Sequence, residues 1–275
     1  MTTEISQGRG TAASVLRGIV GSAHAGPALA VPVLAGLLAA AQGLSAGTAV
    51  LVVAAVLAGQ LSVGWSNDLV DLDRDRAAGR TDKPLAGGEV PVAVVRACCA
   101  AAVLCCVDLS LSCGLAAGLV HLVCVAAAWA YNLGLKATAW SWAPYAVAFG
   151  LLTVFVSLAD DALPPWWWPV GAALLGVGAH LLNVLPDLDD DAATGVRGLP
   201  HRLGRRWIAP VAAAVLVTAT VVVLVGAPLA TAVRTSSAVV VLVLAAVVVT
   251  GHGRRPFVAA VAIALVDAVL LVVAR

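Results

Sequence analysis

Fifteen acidic and sixteen basic side chains are spread unevenly along this 275-residue chain. Residues 67–91 and 183–206 together hold 18 of those 31 charges. A segment that merely joins two helices does not need such a density. The two segments also repeat each other. Shifting the first by 116 residues lays Asn67 on Asn183, Asp71-Leu72-Asp73 on Asp187-Leu188-Asp189, Asp75 on Asp191 and Gly79 on Gly195. Eight of 13 positions match between 67–79 and 183–195.

Helical spacing gives the repeat a chemical meaning. Asn67, Asp71 and Asp75 fall at i, i+4 and i+8, so they form one stripe, as do Asn183, Asp187 and Asp191. Asp68 lies near the first stripe and Asp190 near the second, while Asp73 and Asp189 point away. Two facing carboxylate stripes repel each other unless cations lie between them. Hard oxygen ligands select Mg²⁺, which commonly binds through one or two carboxylates plus substrate phosphates. The six stripe residues are therefore the expected metal ligands. Arg80, Lys83, Lys136 and Arg197 lie close by and suit a polyanion better than a bare metal. The combination points to a magnesium-bridged diphosphate on a lipid-soluble tail.

The elements that must position these residues are membrane helices. Apolar residues make up 61% of the chain and charged residues 11%, and the mean hydropathy is +1.01. That composition excludes a soluble domain, a disordered chain and a nucleic-acid binder. A spanning helix needs about 20 mostly apolar residues. Spans are expected at 28–44, 47–65, 92–110, 113–131, 142–158, 166–185, 207–226, 235–250 and 256–273, nine in all. The valine-rich runs are too uniformly apolar for alternating barrel strands. An N-terminus on the inside puts 14 basic residues on inner segments and only Arg234 and Arg275 outside, as the positive-inside rule demands. The expected fold is all-α: two pseudo-repeated four-helix units plus a ninth helix, forming one polytopic domain over residues 1–275. Its Asp-rich segments, 67–91 and 183–206, are read as cytoplasmic loops. The region 1–26 shows no signal peptide. The six cysteines lie in apolar stretches without metal-ligand spacing.

At this point the chain resembles the UbiA superfamily of membrane-embedded prenyltransferases, of the 4-hydroxybenzoate polyprenyltransferase type. Asn67-Asp68-Leu69-Val70-Asp71-Leu72-Asp73-Arg74-Asp75 resembles its NDxxDxxxD motif, and Arg80-Thr81-Asp82-Lys83-Pro84-Leu85 the segment that follows. Pro186 to Asp191, with Gly195, Leu199-Pro200 and Leu203-Gly204, is similar to the second motif and its tail. Tyr131-Asn132-Leu133-Gly134-Leu135-Lys136 resembles the Tyr/Lys segment after the fourth helix. Val184 stands where the second motif often has another Asp, and Lys136 follows Tyr131 at a longer spacing than in many members.

The resemblance implies a ring of nine helices around a central cavity in the inner (plasma) membrane. It implies Mg²⁺-dependent transfer of a prenyl group from a prenyl diphosphate to an aromatic or other lipophilic acceptor. Asp68, Asp71, Asp75, Asp187 and Asp191 are the expected catalytic acids, Asp68 or Asp191 being the acceptors for the final proton. Arg80, Lys83, Lys136, Arg197 and Tyr131 are expected at the diphosphate. His24 and Arg17 are within reach of the acceptor. Trp140, Trp142 and Tyr145 suit an aromatic belt or a cation–π wall, and His180, one turn before Asn183, a packed position or the cavity lining. Trp166, Trp167 and Trp168 suit an outer belt. Asp108 and Asp267 are expected near the outer ends of their spans, with no catalytic role. A terpene cyclase of the same superfamily, letting the allylic cation close on its own double bonds, is the alternative enzyme. A cation or proton-coupled transporter would need mid-span acids along a path.

Overall fold

The computed structural model describes residues 12–80 and 83–274. Residues 1–11, Thr81, Asp82 and Arg275 lie outside the described residues, with part of the N-terminal reading and the middle of the Arg80–Leu85 segment. The described chain is helical: α1 Ala12–Ser22, α2 Ala25–Gln42, α3 Ala46–Ala77, α4 Val92–Ser112, α5 Leu115–Asn132, a 3₁₀ turn Leu135–Ala137, α6 Ala143–Leu158, α7 Trp167–Val184, the short α8 Leu188–Ala193 and α9 Leu199–Leu203, then α10 Arg205–Gly226, α11 Thr231–Thr250 and α12 Arg255–Val273.

Among the described residues six helices are long and apolar enough to cross a membrane: α3, α4, α5, α7, α10 and α11. The apolar stretches of α2 and α6, Ala28–Gln42 and Ala143–Leu158, are shorter. The protein is a multi-pass membrane protein, and its surface agrees with that. Val50, Leu104, Leu115, Val239, Leu242 and Val258 are each more than half exposed. On α11 only Val241, Ala245 and Val248 are buried, at a spacing of four and three that turns one stripe inward and leaves the rest to lipid.

Neighbours in sequence pack as neighbours in space from α2 to α7. The chain continues through α10 and α11 to α12, which returns against α2. The bundle is therefore closed, and its interior lies between α2, α3, α5, α6 and α7. At about 1.5 Å per residue the 32-residue α3 is some 48 Å long, well over the roughly 30 Å hydrocarbon thickness. One end must leave the apolar layer. That end carries Asn67 to Asp75, so the first acid motif sits on a continuous helix and not on a loop. Nothing in its sequence stops the helix before Gly79, whose φ is +67°.

The second motif differs. Pro186 lacks an N–H and cannot continue α7. The helix ends at Val184, the Asp187 N–H bonds the Val184 carbonyl at 3.1 Å, and α8 starts afresh. Asn183, Asp187 and Asp191 are thus divided between a helix, a turn and a second short helix.

The helix at the N-terminal side is held by close approach. A Cβ on Gly64 would lie 2.3 Å from the Ala23 carbonyl oxygen, so only glycine lets the α1–α2 junction rest on α3. The Trp65 indole N–H donates to the Ile19 carbonyl beside it at 3.0 Å. His24, at the junction, has φ 53° and ψ 61°. One expectation about the opposite end changes. Trp166 is 62% exposed, as a belt residue should be, but Trp167 and Trp168 are buried in the core. Asp267, towards the same end of α12, is buried at 1% exposure.

Candidate active site

Both acid motifs open onto one cavity of about 560 Å³. Asn67, Asp71 and Asp75 reach it from α3, Asn183 from the end of α7, and Asp187 and Asp191 from the turn and α8. Tyr131 on α5, Lys136 on the 3₁₀ turn, and Arg80 and Lys83 after α3 line it as well. Ten of the expected site residues therefore meet around a single space. The other two do not line it. The Arg197 side chain is exposed. Asp68 is 2% exposed and lies behind the wall.

Asp68 acts on its neighbours instead. Its Oδ1 accepts from Lys83 Nζ at 2.7 Å and lies 2.9 Å from His24 Nε2. Both of those side chains line the cavity, so Asp68 positions a cation and an imidazole there.

The central ion pair joins α3 to the turn after α5. Lys136 Nζ donates to both carboxylate oxygens of Asp71 at 2.6 Å, and Arg74 Nη2 lies 2.8 Å from Asp71 Oδ2. Burial pulls the Lys136 pKa below its ordinary value, against the pull of Asp71. Burial likewise raises the Asp191 carboxyl, while Arg74 and His201 oppose the shift. Asn67 is held by Asn132, to whose side-chain oxygen it donates at 3.2 Å. Asn132 in turn donates to the Val63 carbonyl at 3.0 Å and to Ser66 Oγ at 2.8 Å.

One wall of the cavity is aromatic. Tyr131 meets Tyr145 edge-on with ring centroids 5.2 Å apart, and Tyr145 and Phe149 both line the space. Behind them His180, fully buried, packs against Tyr145 at 4.7 Å. His180 Nε2 lies 3.0 Å from Ser141 Oγ, and Ser141 Oγ accepts the Leu199 N–H at 2.9 Å. This bond fastens the segment after α8 to α6 and α7. Trp140 and Trp142 pair with each other outside the cavity wall. Arg74, Gln60, His24 and Arg254 also line the cavity. Arg74 and Arg254 carry no sequence signal that separates them from the other inner basic residues, because their placement depends on how the bundle closes.

The donor set fits Mg²⁺ in one way. Among the described residues no three His, Cys, Asp or Glu side chains are grouped as a ready-made metal cage. The acids instead stand around the cavity, interleaved with cations. Such a set suits ions that keep waters and take substrate phosphates as further ligands.

The model of the UbiA prenyltransferase family matches residues 29–271. The chain belongs to this family. Its fold is also that of solved UbiA homologues. An apo UbiA homologue from Aeropyrum pernix K1 is 20% identical with a TM-score of 0.72, covering 94% of this chain and 98% of that one. A UbiA homologue from Archaeoglobus fulgidus bound to GPP and Mg²⁺ is 14% identical with a TM-score of 0.71, covering 92% and 96%. A digeranylgeranylglyceryl phosphate synthase structure is 15% identical with a TM-score of 0.66, covering 94% and 96%. No curated protein sequence matches this UbiA-family chain.

Proposed function

We propose that this protein is a Mg²⁺-dependent prenyltransferase that moves a prenyl group from a prenyl diphosphate to an aromatic or other lipophilic acceptor within the membrane. The observation that carries this reading is the facing of two separate acid motifs across one cavity, with cations between them and an apolar bundle beyond. An Archaeoglobus fulgidus homologue of the same fold was solved with GPP and Mg²⁺, and another structure of it with DMAPP and Mg²⁺. We further propose that nine helices span the inner membrane, with both acid motifs on the cytoplasmic side.

Asn67, Asp71, Asp75, Asn183, Asp187 and Asp191 would hold Mg²⁺ against the donor. The metal supplies Lewis-acid stabilisation of the diphosphate leaving group. Lys136, Arg80, Lys83 and Arg74 place fixed positive charge where leaving-group charge develops. Lys136 and Arg74 are already fixed by Asp71, so little reorganisation is needed as the C–O bond breaks. The allylic cation forms beside the Tyr131–Tyr145 wall, whose ring faces attract positive charge. The acceptor attacks that carbon and loses a proton. Asp191 lines the cavity and Asp68 does not, which favours Asp191 as the group that takes the proton. Arg197 is exposed and does not line the cavity, so it is left out of this diphosphate set.

The test is to incubate the purified protein with geranyl or farnesyl diphosphate, Mg²⁺ and a panel of phenolic and naphthoic acceptors. A prenylated acceptor and released diphosphate are expected. A cyclised hydrocarbon formed without acceptor would replace this reading with that of a cyclase.

A further inference from the structure

His24 lines the cavity but belongs neither to the acid stripes nor to the cations around the diphosphate. Its backbone stands in the left-handed region, with φ 53° and ψ 61°. That region is uncommon for a residue other than glycine, and it persists where the surroundings hold it, often at active sites. Here the hold is identifiable. The missing Cβ of Gly64 lets Ala23 rest on α3, Trp65 ties down the Ile19 carbonyl, and the imidazole itself reaches through the cavity wall to Asp68.

The ring is anchored at one nitrogen only. Nε2 lies 2.9 Å from Asp68 Oδ1, and the Asp68 side chain is 1% exposed against 37% for His24. A bare ring nitrogen would repel a carboxylate oxygen at that distance, so Nε2 carries the proton and donates it. Lys83 Nζ, 3.3 Å from Nε2, bonds the same carboxylate oxygen more closely, at 2.7 Å. These two are the charged groups in contact with the ring. The neutral imidazole therefore keeps a lone pair on Nδ1, which has no hydrogen bond among the described residues and is not sealed from the cavity. A lone pair accepts a hydrogen bond and repels phosphate oxygens. The diphosphate already has Arg80, Lys83, Lys136 and Arg74 before it, so Nδ1 suits the other substrate, through a group that can donate a proton.

We propose that His24, oriented by Asp68, is the base that takes the hydroxyl proton of the acceptor. This rests on the prenyltransferase reading above and narrows its acceptor to a lipophilic molecule with a hydroxyl group. The C–O bond of the donor breaks with its electron pair leaving on the diphosphate. As a ring carbon of a phenolic acceptor forms the new C–C bond, its O–H proton passes to His24 Nδ1, and the electron pair released on oxygen strengthens the attack. Asp68 stabilises the imidazolium as it forms, the part a buried carboxylate plays behind a catalytic histidine. Asp191 then removes the hydrogen from the prenylated ring carbon, and His24 returns its proton to the oxygen. One proton is released overall, and the two bases divide the work by position.

The test is prenylation of a series of 4-substituted phenols of graded acidity, with geranyl diphosphate and Mg²⁺, by the purified full-length protein and by His24→Asn. Asparagine tolerates the left-handed backbone and its amide can still donate to Asp68, but it cannot take the proton. Turnover of the least acidic phenols should fall about a hundredfold, the lower end of what a general base contributes. The loss should shrink steadily as the phenol becomes acidic enough to ionise unaided, which a merely structural role would not produce. Displacement of labelled geranyl diphosphate by unlabelled should be the same in both proteins. Unchanged turnover, or an equal loss across the series, would overturn the proposal. Loss of donor binding in His24→Asn would also overturn it, by making His24 part of the donor site or of the fold. Donor binding with no phenol prenylated by the unaltered protein would overturn the hydroxyl-bearing acceptor. Failure of the unaltered protein to bind any allylic diphosphate would instead refute the prenyltransferase reading itself.

Discussion

Asp71→Asn is the substitution on which the site model is most exposed. The side chain of Asp71 is 7% exposed and that of its partner Lys136 10%. Two bonds at 2.6 Å from Lys136 and one contact at 2.8 Å from Arg74 end on its two oxygens. The amide keeps the volume and one acceptor oxygen, but loses the charge and leaves a buried ammonium half-paired. Removing one partner of a buried pair costs about 3–5 kcal/mol; the retained acceptor puts the expected loss near the lower end, at about 3 kcal/mol. If the same charge also holds a metal, transition-state stabilisation of at least similar size disappears, and about 3 kcal/mol corresponds to more than a hundredfold in rate. Asp73, two residues on, is exposed on the far side of the same helix, and Asp73→Asn should leave both quantities nearly unchanged. The assay is diphosphate release at saturating donor and Mg²⁺, with thermal unfolding measured on the same samples. Equal damage from Asp71→Asn and Asp73→Asn would refute the one-sided helix, and a stability loss in Asp71→Asn with turnover intact would refute the catalytic role.

Four other outcomes are expected. EDTA should abolish diphosphate release and added Mg²⁺ should restore it; full turnover in thoroughly chelated protein would end the metal reading. In the second motif, Asp187→Asn and Asp191→Asn should each lower turnover by orders of magnitude. Asp189→Asn should not, since Asp189 is 86% exposed and meets only Arg205. Gly64→Ala forces a Cβ to 2.3 Å from the Ala23 carbonyl, and the displacement of the α1–α2 junction should cost about 1–3 kcal/mol, read as a lower Tm. Single cysteines placed by Ala78→Cys and Thr194→Cys should resist a membrane-impermeant maleimide applied outside sealed cells; efficient labelling at either would invert the proposed sidedness.

The readable parts of this protein were those with a local cause. Asn67, Asp71 and Asp75 keep helical spacing with no breaker among them, so their common face follows from backbone geometry alone. The second motif defeats the same reasoning at one residue, Pro186, yet its acids still reach the cavity because a turn and a new helix replace the lost one. Lys136 was legible from its position after an apolar span, and its bond to Asp71 was not, because 65 residues separate the partners. Asp68 and Arg197 show the limit most plainly. Both sit beside true cavity residues in sequence, and which way each side chain turns depends on helices far along the chain.

The return of α12 against α2 has a consequence for biogenesis. Helices that adjoin in the bundle are mostly adjacent in the chain, so they can pair as they leave the ribosome. The contact of α12 with α2 and α7 has to wait for the last helix. Until then the interior of the bundle has a side open to lipid. Assembly of the reaction chamber is therefore the final event of synthesis, and an arrested chain lacking α12 would present a lipid-filled trough to quality-control proteases in place of an enzyme interior.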